Sequence, residues 1–128
     1  MPDSIPEDVR RFIVDNINSV EQLEVLLLLK RHPEQAWKAE AVSQALSSQP
    51  LAALMRLSDL CDRGFLTVTA APDKLFRYAP ARPEWDQLVE QLAQVYRDMR
   101  VSVISLIYSQ PNSHVQAFAD AFRFRKDK

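Results

Sequence analysis

The sequence predicts a mainly helical fold with one small β-hairpin, built as a single domain over residues 1–128. Three observations carry this expectation. The 128 residues include one glycine, Gly64, against eight prolines, which leaves few positive-φ positions for two-residue hairpins and argues against an all-β sandwich. Apolar residues recur at helical spacing along most of the chain. The exception is a pair of short β-rich runs at residues 65–69 and 75–78, separated by five residues that include Pro72 and Asp73.

Residues 5–17 read as the first helix. Ser4, Ile5, Pro6 and Glu7 have the form of a capping box, and Val9, Phe12, Ile13 and Ile17 follow on one face. Ser19 and Gln22 repeat the device. The next helix is apolar on nearly every side through Leu29 and stops at Lys30, Arg31, His32 and Pro33, so it is expected at the centre of the fold. A short helix over 39–46, with Ala41, Val42, Ala45 and Leu46 inward, precedes a turn at Ser47, Ser48, Gln49 and Pro50. The helix after Pro50 is expected to bury Leu51, Leu54, Leu57, Leu60 and Cys61 and to end at Gly64, where the chain enters the left-handed region. The hairpin comes next. One long helix is then predicted over 84–108, with a strand as the lesser alternative for 101–108, and a short last helix through Val115, Phe118, Ala119 and Phe122.

Composition narrows the function. Hydrophobic residues at 47% and charged residues at 26% are ordinary for a soluble globular protein. A lone glycine excludes a P-loop, a dinucleotide fingerprint and a nucleophile elbow. Cys61 has no second cysteine to bridge, and Met1, Pro2, Asp3 and Ser4 lack the basic then apolar start of a leader, so a reducing, cytoplasmic setting is expected. The apolar run at 25–29 is far shorter than the roughly 20 residues a membrane span needs. Net charge is −1. The middle of the chain is mildly basic, with Arg56, Arg63, Lys74, Arg77 and Arg82 set against Asp59, Asp62 and Asp73.

The order helix, helix, turn, helix, glycine, hairpin resembles the winged helix-turn-helix superfamily over residues 20–79. The most specific passage is Leu57-Ser58-Asp59-Leu60-Cys61-Asp62-Arg63-Gly64-Phe65-Leu66, which is similar to that superfamily's passage from recognition helix into wing. Trp37-Lys38 departs from the small polar cap such families often place before their second helix. The resemblance implies a transcription regulator that puts this helix in the major groove of duplex DNA and the hairpin on the backbone. Carried onto this chain, the groove-facing positions are Ser48, Gln49, Ala52, Ala53 and Arg56, with Lys74 and Arg77 on or near the wing. It also implies a 1–19 helix, a 20–79 winged module and an 80–128 helical extension that forms a homodimer through residues 84–124, joined by Phe12 and Ile13. The alternative is that residues 101–124 fold back over their own core.

Other residues support blander roles. His32, His114 and Cys61 are too few and too scattered for a structural metal site, so no metal or cofactor is expected. His32 suits a helix C-terminus and Cys61 a small buried apolar position. Asp59 and Asp62 have Arg56 and Arg63 as helix neighbours. Trp37, Trp85, Phe118, Phe122 and Phe124 suit core packing rather than a ligand pocket, and Arg123, Arg125, Lys126 and Lys128 a solvated tail. No local signature of catalysis stands out, which leaves a DNA-binding regulator or, with the same fold, a protein-binding adaptor.

Overall fold

The computed structural model describes residues 5–69 and 74–109, and in these the element order is α1 (Glu7–Asn16), α2 (Val20–Arg31), α3 (Ala39–Leu46), α4 (Pro50–Asp62), β1 (Leu66–Val68), β2 (Phe76–Tyr78), α5 (Pro83–Asp98) and α6 (Arg100–Ser109). Ser4, the loop at 70–73, His114, the last helix and the basic tail lie outside the described residues.

Local chemistry sets most of the boundaries. Pro6 precedes α1 with no side-chain cap, and Glu7 and Asp8 put negative charge on its first turn, where the helix dipole favours it. Ser19 caps α2 by accepting a hydrogen bond from the Gln22 backbone, while the Gln22 side chain turns back to accept one from the Asn18 N–H at 2.6 Å. His32 is the C-cap of α2, and Pro33 cannot continue the helix. Leu23, residues 25–29 and Gln22 are all buried, which makes α2 the central helix, as its apolar circumference predicts.

The turn between α3 and α4 is made by Ser47 in the left-handed region, at φ 54° and ψ 45°. Pro50 then opens α4 at a position where its missing N–H costs nothing. The inward row of α4 is Ala53, Leu57 and Leu60, with Leu54 and Cys61 half-buried, whereas Leu51 is 68% exposed. The expected burial of Leu51 is therefore wrong by one helical row, and the small Ala53 takes the inward place where α4 packs closely on α3. A similar shift occurs in α3, where Ser43 is buried and bonds the Glu40 carbonyl at 2.8 Å while Ala45 is exposed.

Gly64 turns the corner at φ 94°. Its carbonyl accepts from Ala81 at 2.8 Å, and Phe65 accepts from Ala79 at 3.0 Å, so the corner is bonded to the chain leaving the hairpin. The strands pair antiparallel, Leu66 with Tyr78, Thr67 with Arg77 and Val68 with Phe76. A third extended segment joins them: Trp37 and Phe76 exchange both backbone hydrogen bonds, each at 2.7 Å. The Trp37-Lys38 departure from the expected cap thus has a structural purpose, since extended backbone at Trp37 is what the hairpin edge needs.

The single helix expected over 84–108 is two. Met99, at φ −131° and ψ 53°, ends α5, and its carbonyl accepts from Val103 to start α6. The β-branched segment 101–108 is helical, so the strand alternative fails. Val103 and Ile107 still reach the core. Phe65 meets Trp85 in a tilted contact at 4.9 Å and Phe12 edge-on at 5.4 Å, which ties α1, the glycine corner and α5 into one core.

Candidate nucleic-acid interface

The candidate interface consists of the solvent face of α4 and the outer side of the hairpin. Three polar networks hold it in place. At the base of α4, buried Gln22 donates to Asp59, whose carboxylate also binds Arg63 at 2.9 Å. Arg63 reaches on to the Asp15 carbonyl at 3.3 Å. A buried amide with both ends satisfied fixes geometry, because losing either partner strands a polar group away from water.

Glu21 on α2 holds Arg56 on α4, Oε1 to Nε at 3.0 Å, with both side chains about one-third exposed. The partners expected for Arg56 were acids on its own helix; its partner is instead an acid 35 residues away.

Behind the hairpin, the Tyr78 hydroxyl donates to Asp86 at 2.7 Å, and Lys30 binds Asp86 at 3.2 Å and Glu90 at 3.1 Å. Lys30 also lies 5.5 Å from the centre of the Tyr78 ring. Tyr78's hydrogen bond, with help from Lys30, holds the Asp86 carboxyl below its ordinary 3.8. Burial and the Asp86 bond push the Tyr78 phenol well above 10.0. Strand β2 is therefore clamped to α2 and α5 together.

Gln49 is exposed at the N-cap of α4, and Lys74 and Arg77 are exposed on the hairpin. Ala52 is half-buried on the same side. Ser48 is different, because its hydroxyl is buried without a partner. Ala53, expected in the groove, lies fully inside the core. The residues not anticipated on the outer face are Leu51 and Met55, at 68% and 59% exposure. Leu51 is expected in the inward stripe from the sequence, and Met55 is assigned to neither face.

Among the described residues, no group of three or more His, Cys, Asp or Glu could hold a metal ion, and no helix is long and apolar enough to cross a membrane. Burial, with the neighbouring Asp62 charge, pushes the Cys61 thiol up to about 11, so it stays protonated at neutral pH. Trp85 belongs to the core cluster and borders a shallow cleft of about 410 Å³ between α1 and α5, whereas Trp37 lies against the hairpin.

Helix-turn-helix, glycine corner and a two-stranded wing, bridged at Trp37, together define a winged-helix fold. Solved structures of MarR-type winged-helix transcription regulators share it. A point mutant of MepR from Staphylococcus aureus, bound to an oligodeoxyribonucleotide, superposes with a TM-score of 0.55 at 14% identity, covering 91% of this chain and 86% of that one. YusO from Bacillus subtilis gives 0.54 at 14% identity, covering 94% and 84%. A transcriptional regulator from Thermotoga maritima gives 0.52 at 12% identity, again covering 94% and 84%. At these identities the likeness is one of fold. No protein-family model matches the chain. No curated protein matches it in sequence.

Proposed function

We propose that this chain is a DNA-binding transcriptional regulator, a binding protein rather than an enzyme. It presents α4 to the major groove and the hairpin to the neighbouring backbone, and it works as a homodimer through residues 84–124; Phe12 and Ile13, expected to join that interface, are instead buried in the chain's own core and are not part of it. The observation that carries this reading is the exposed end of the module. Gln49 opens α4 at the surface while Lys74 and Arg77 stand out on a hairpin clamped to the core by Tyr78. Two cations on or beside a strand clamped to the core suit phosphate contacts, which position a protein on the duplex. The fold supports the reading through the MepR structure, which carries an oligodeoxyribonucleotide.

The test is a fluorescence-anisotropy titration of the full chain against genomic duplex fragments at increasing salt. Affinity should fall steeply with the logarithm of salt. Arg77→Glu and Lys74→Glu should each weaken binding to all sequences and lower the salt slope by about 1. Arg56→Glu should weaken it too. Binding that ignores salt would sink the proposal.

A second reading, the same fold as a protein-binding adaptor, is favoured by one observation: Glu21 engages Arg56, and Asp59 and Asp62 follow on α4. Affinity capture with and without nuclease separates the two, since nuclease-sensitive recovery of DNA belongs to the regulator alone.

A further inference from the structure

A helix in the major groove tells base pairs apart by hydrogen bonds to their edges or by contact with the thymine C5 methyl. On α4 the most outward row is Leu51, Met55, Ser58 and Asp62, spaced by four, three and four residues, so that they stack along one side of the helix. Leu51 and Met55 expose 68% and 59% of their surface. Gln49 and Ala52 flank them near the helix N-terminus. On the face proposed to meet DNA, Leu51 and Met55 lie one helical turn apart and offer adjoining apolar surface that a base methyl group would cover.

The commonest guanine contact is a bidentate Arg or Lys on O6 and N7. Helix α4 carries no lysine, and its one arginine, Arg56, has Nε 3.0 Å from the Glu21 carboxylate. Using Arg56 for guanine would mean breaking that pair. Gln49 is the residue on this face whose amide matches a base edge in bidentate fashion, and its match is adenine N6 and N7.

We infer that α4 selects A·T-rich duplex DNA, with Leu51 and Met55 packing on thymine methyl groups and Gln49 bonding adenine; this rests on the DNA-binding reading above. Ala52 supplies a further methyl contact beside them. Guanine contributes little to recognition by this helix.

The experiment is selection of binding duplexes from a random pool by the full chain, followed by titration of the selected duplex with thymine and with uracil in its place. Uracil removes the methyl and leaves every phosphate and every Watson–Crick pair. The selected sequences should be A·T-rich where α4 lies. The uracil duplex should bind about three- to fourfold more weakly per contacted methyl, with an unchanged salt slope. Leu51→Ala and Met55→Ala alter exposed side chains and leave the core intact; each should shrink the thymine-over-uracil affinity ratio, measured within the same variant, toward one. Selection of G·C-rich sequences, or equal binding of thymine and uracil duplexes, overturns the inference and leaves the DNA-binding reading standing. Absence of salt-sensitive binding to any duplex in the pool overturns both.

Discussion

Gly64 and Trp85 fit each other so closely that a Cβ added to the glycine would lie 3.0 Å from Cζ3 of the indole. The backbone there has φ 94°, where L-residues are strained by about 1–2 kcal/mol. Both effects oppose a side chain at the corner between α4 and the wing. Gly64→Ala should therefore lower the unfolding free energy in urea by at least about 1 kcal/mol, and Gly64→Val by more. In a Trp85→Leu background the penalty of Gly64→Ala should shrink toward the backbone component alone. An unchanged urea midpoint for Gly64→Val would contradict the placement of this corner.

Gln22 offers a test of the polar joint between α1, α2 and α4. It is 1% exposed and bonded both to Asn18 and to Asp59. Gln22→Ala strands the Asn18 N–H and removes a donor from Asp59, for a cost of about 1–3 kcal/mol. Gln22→Glu is nearly isosteric but points a second carboxylate at Asp59. Its cost at pH 7 should exceed that of Gln22→Ala and should fall when the pH is lowered to where carboxylates take up protons. Denaturant unfolding at the two pH values measures this directly.

How far these features were legible depended on whether their cause was local. Ser19 as a cap, Pro33 as a stop, and Gly64 as a corner are decided by a residue and its nearest neighbours, and the structure has all three. The break at Met99 has no proline or glycine to mark it, so spacing alone ran one stripe through both helices. Leu51 against Ala53 is a choice between two adjacent rows of one helix, and it is settled by how closely α3 approaches, which composition does not reveal. In the candidate interface, exposed Gln49, Lys74 and Arg77 could be picked out by residue type. The Glu21–Arg56 and Trp37–Phe76 pairs could not, because each joins segments that meet only after folding.

The Tyr78, Asp86 and Lys30 cluster should give the protein a recognisable pH profile. Asp86 lies below its ordinary 3.8 chiefly through the Tyr78 hydrogen bond, so its stabilisation is complete above pH 3.8 and is lost as the pH falls through the lowered value. Burial opposes the charge on Lys30, but hydrogen bonds to Glu90 and Asp86 outweigh it and hold its pKa above 10.5. The Tyr78 phenol is also raised, by burial first and Asp86 second. Both contributions are present below about pH 10 and are lost as the pH rises further. Tyr78→Phe should cost about 1 kcal/mol at neutral pH, soften the acid loss of stability, and remove the phenol's share of the alkaline loss. Melting temperatures across the pH range would show whether the profile flattens at both ends.

Glu21 places a negative charge beside the face proposed to meet DNA and binds the one arginine of α4. An ion pair one-third exposed contributes only a few tenths of a kcal/mol to about 1 kcal/mol of stability, so Glu21→Gln should leave folding nearly intact. Its effect on binding should be larger in relative terms. Freed from the carboxylate, the Arg56 guanidinium can turn to a phosphate, and the repulsion between Glu21 and the backbone disappears with it. Affinity for duplex DNA should rise roughly two- to fivefold at moderate salt, and the salt slope should steepen by about 1 as one more phosphate is neutralised. The double variant Glu21→Gln with Arg56→Ala separates the two contributions, because it keeps the relief of repulsion and loses the new contact. If Glu21→Gln binds no more tightly than the natural chain, and its salt slope is unchanged, then the α2–α4 edge carrying Arg56 does not face the DNA.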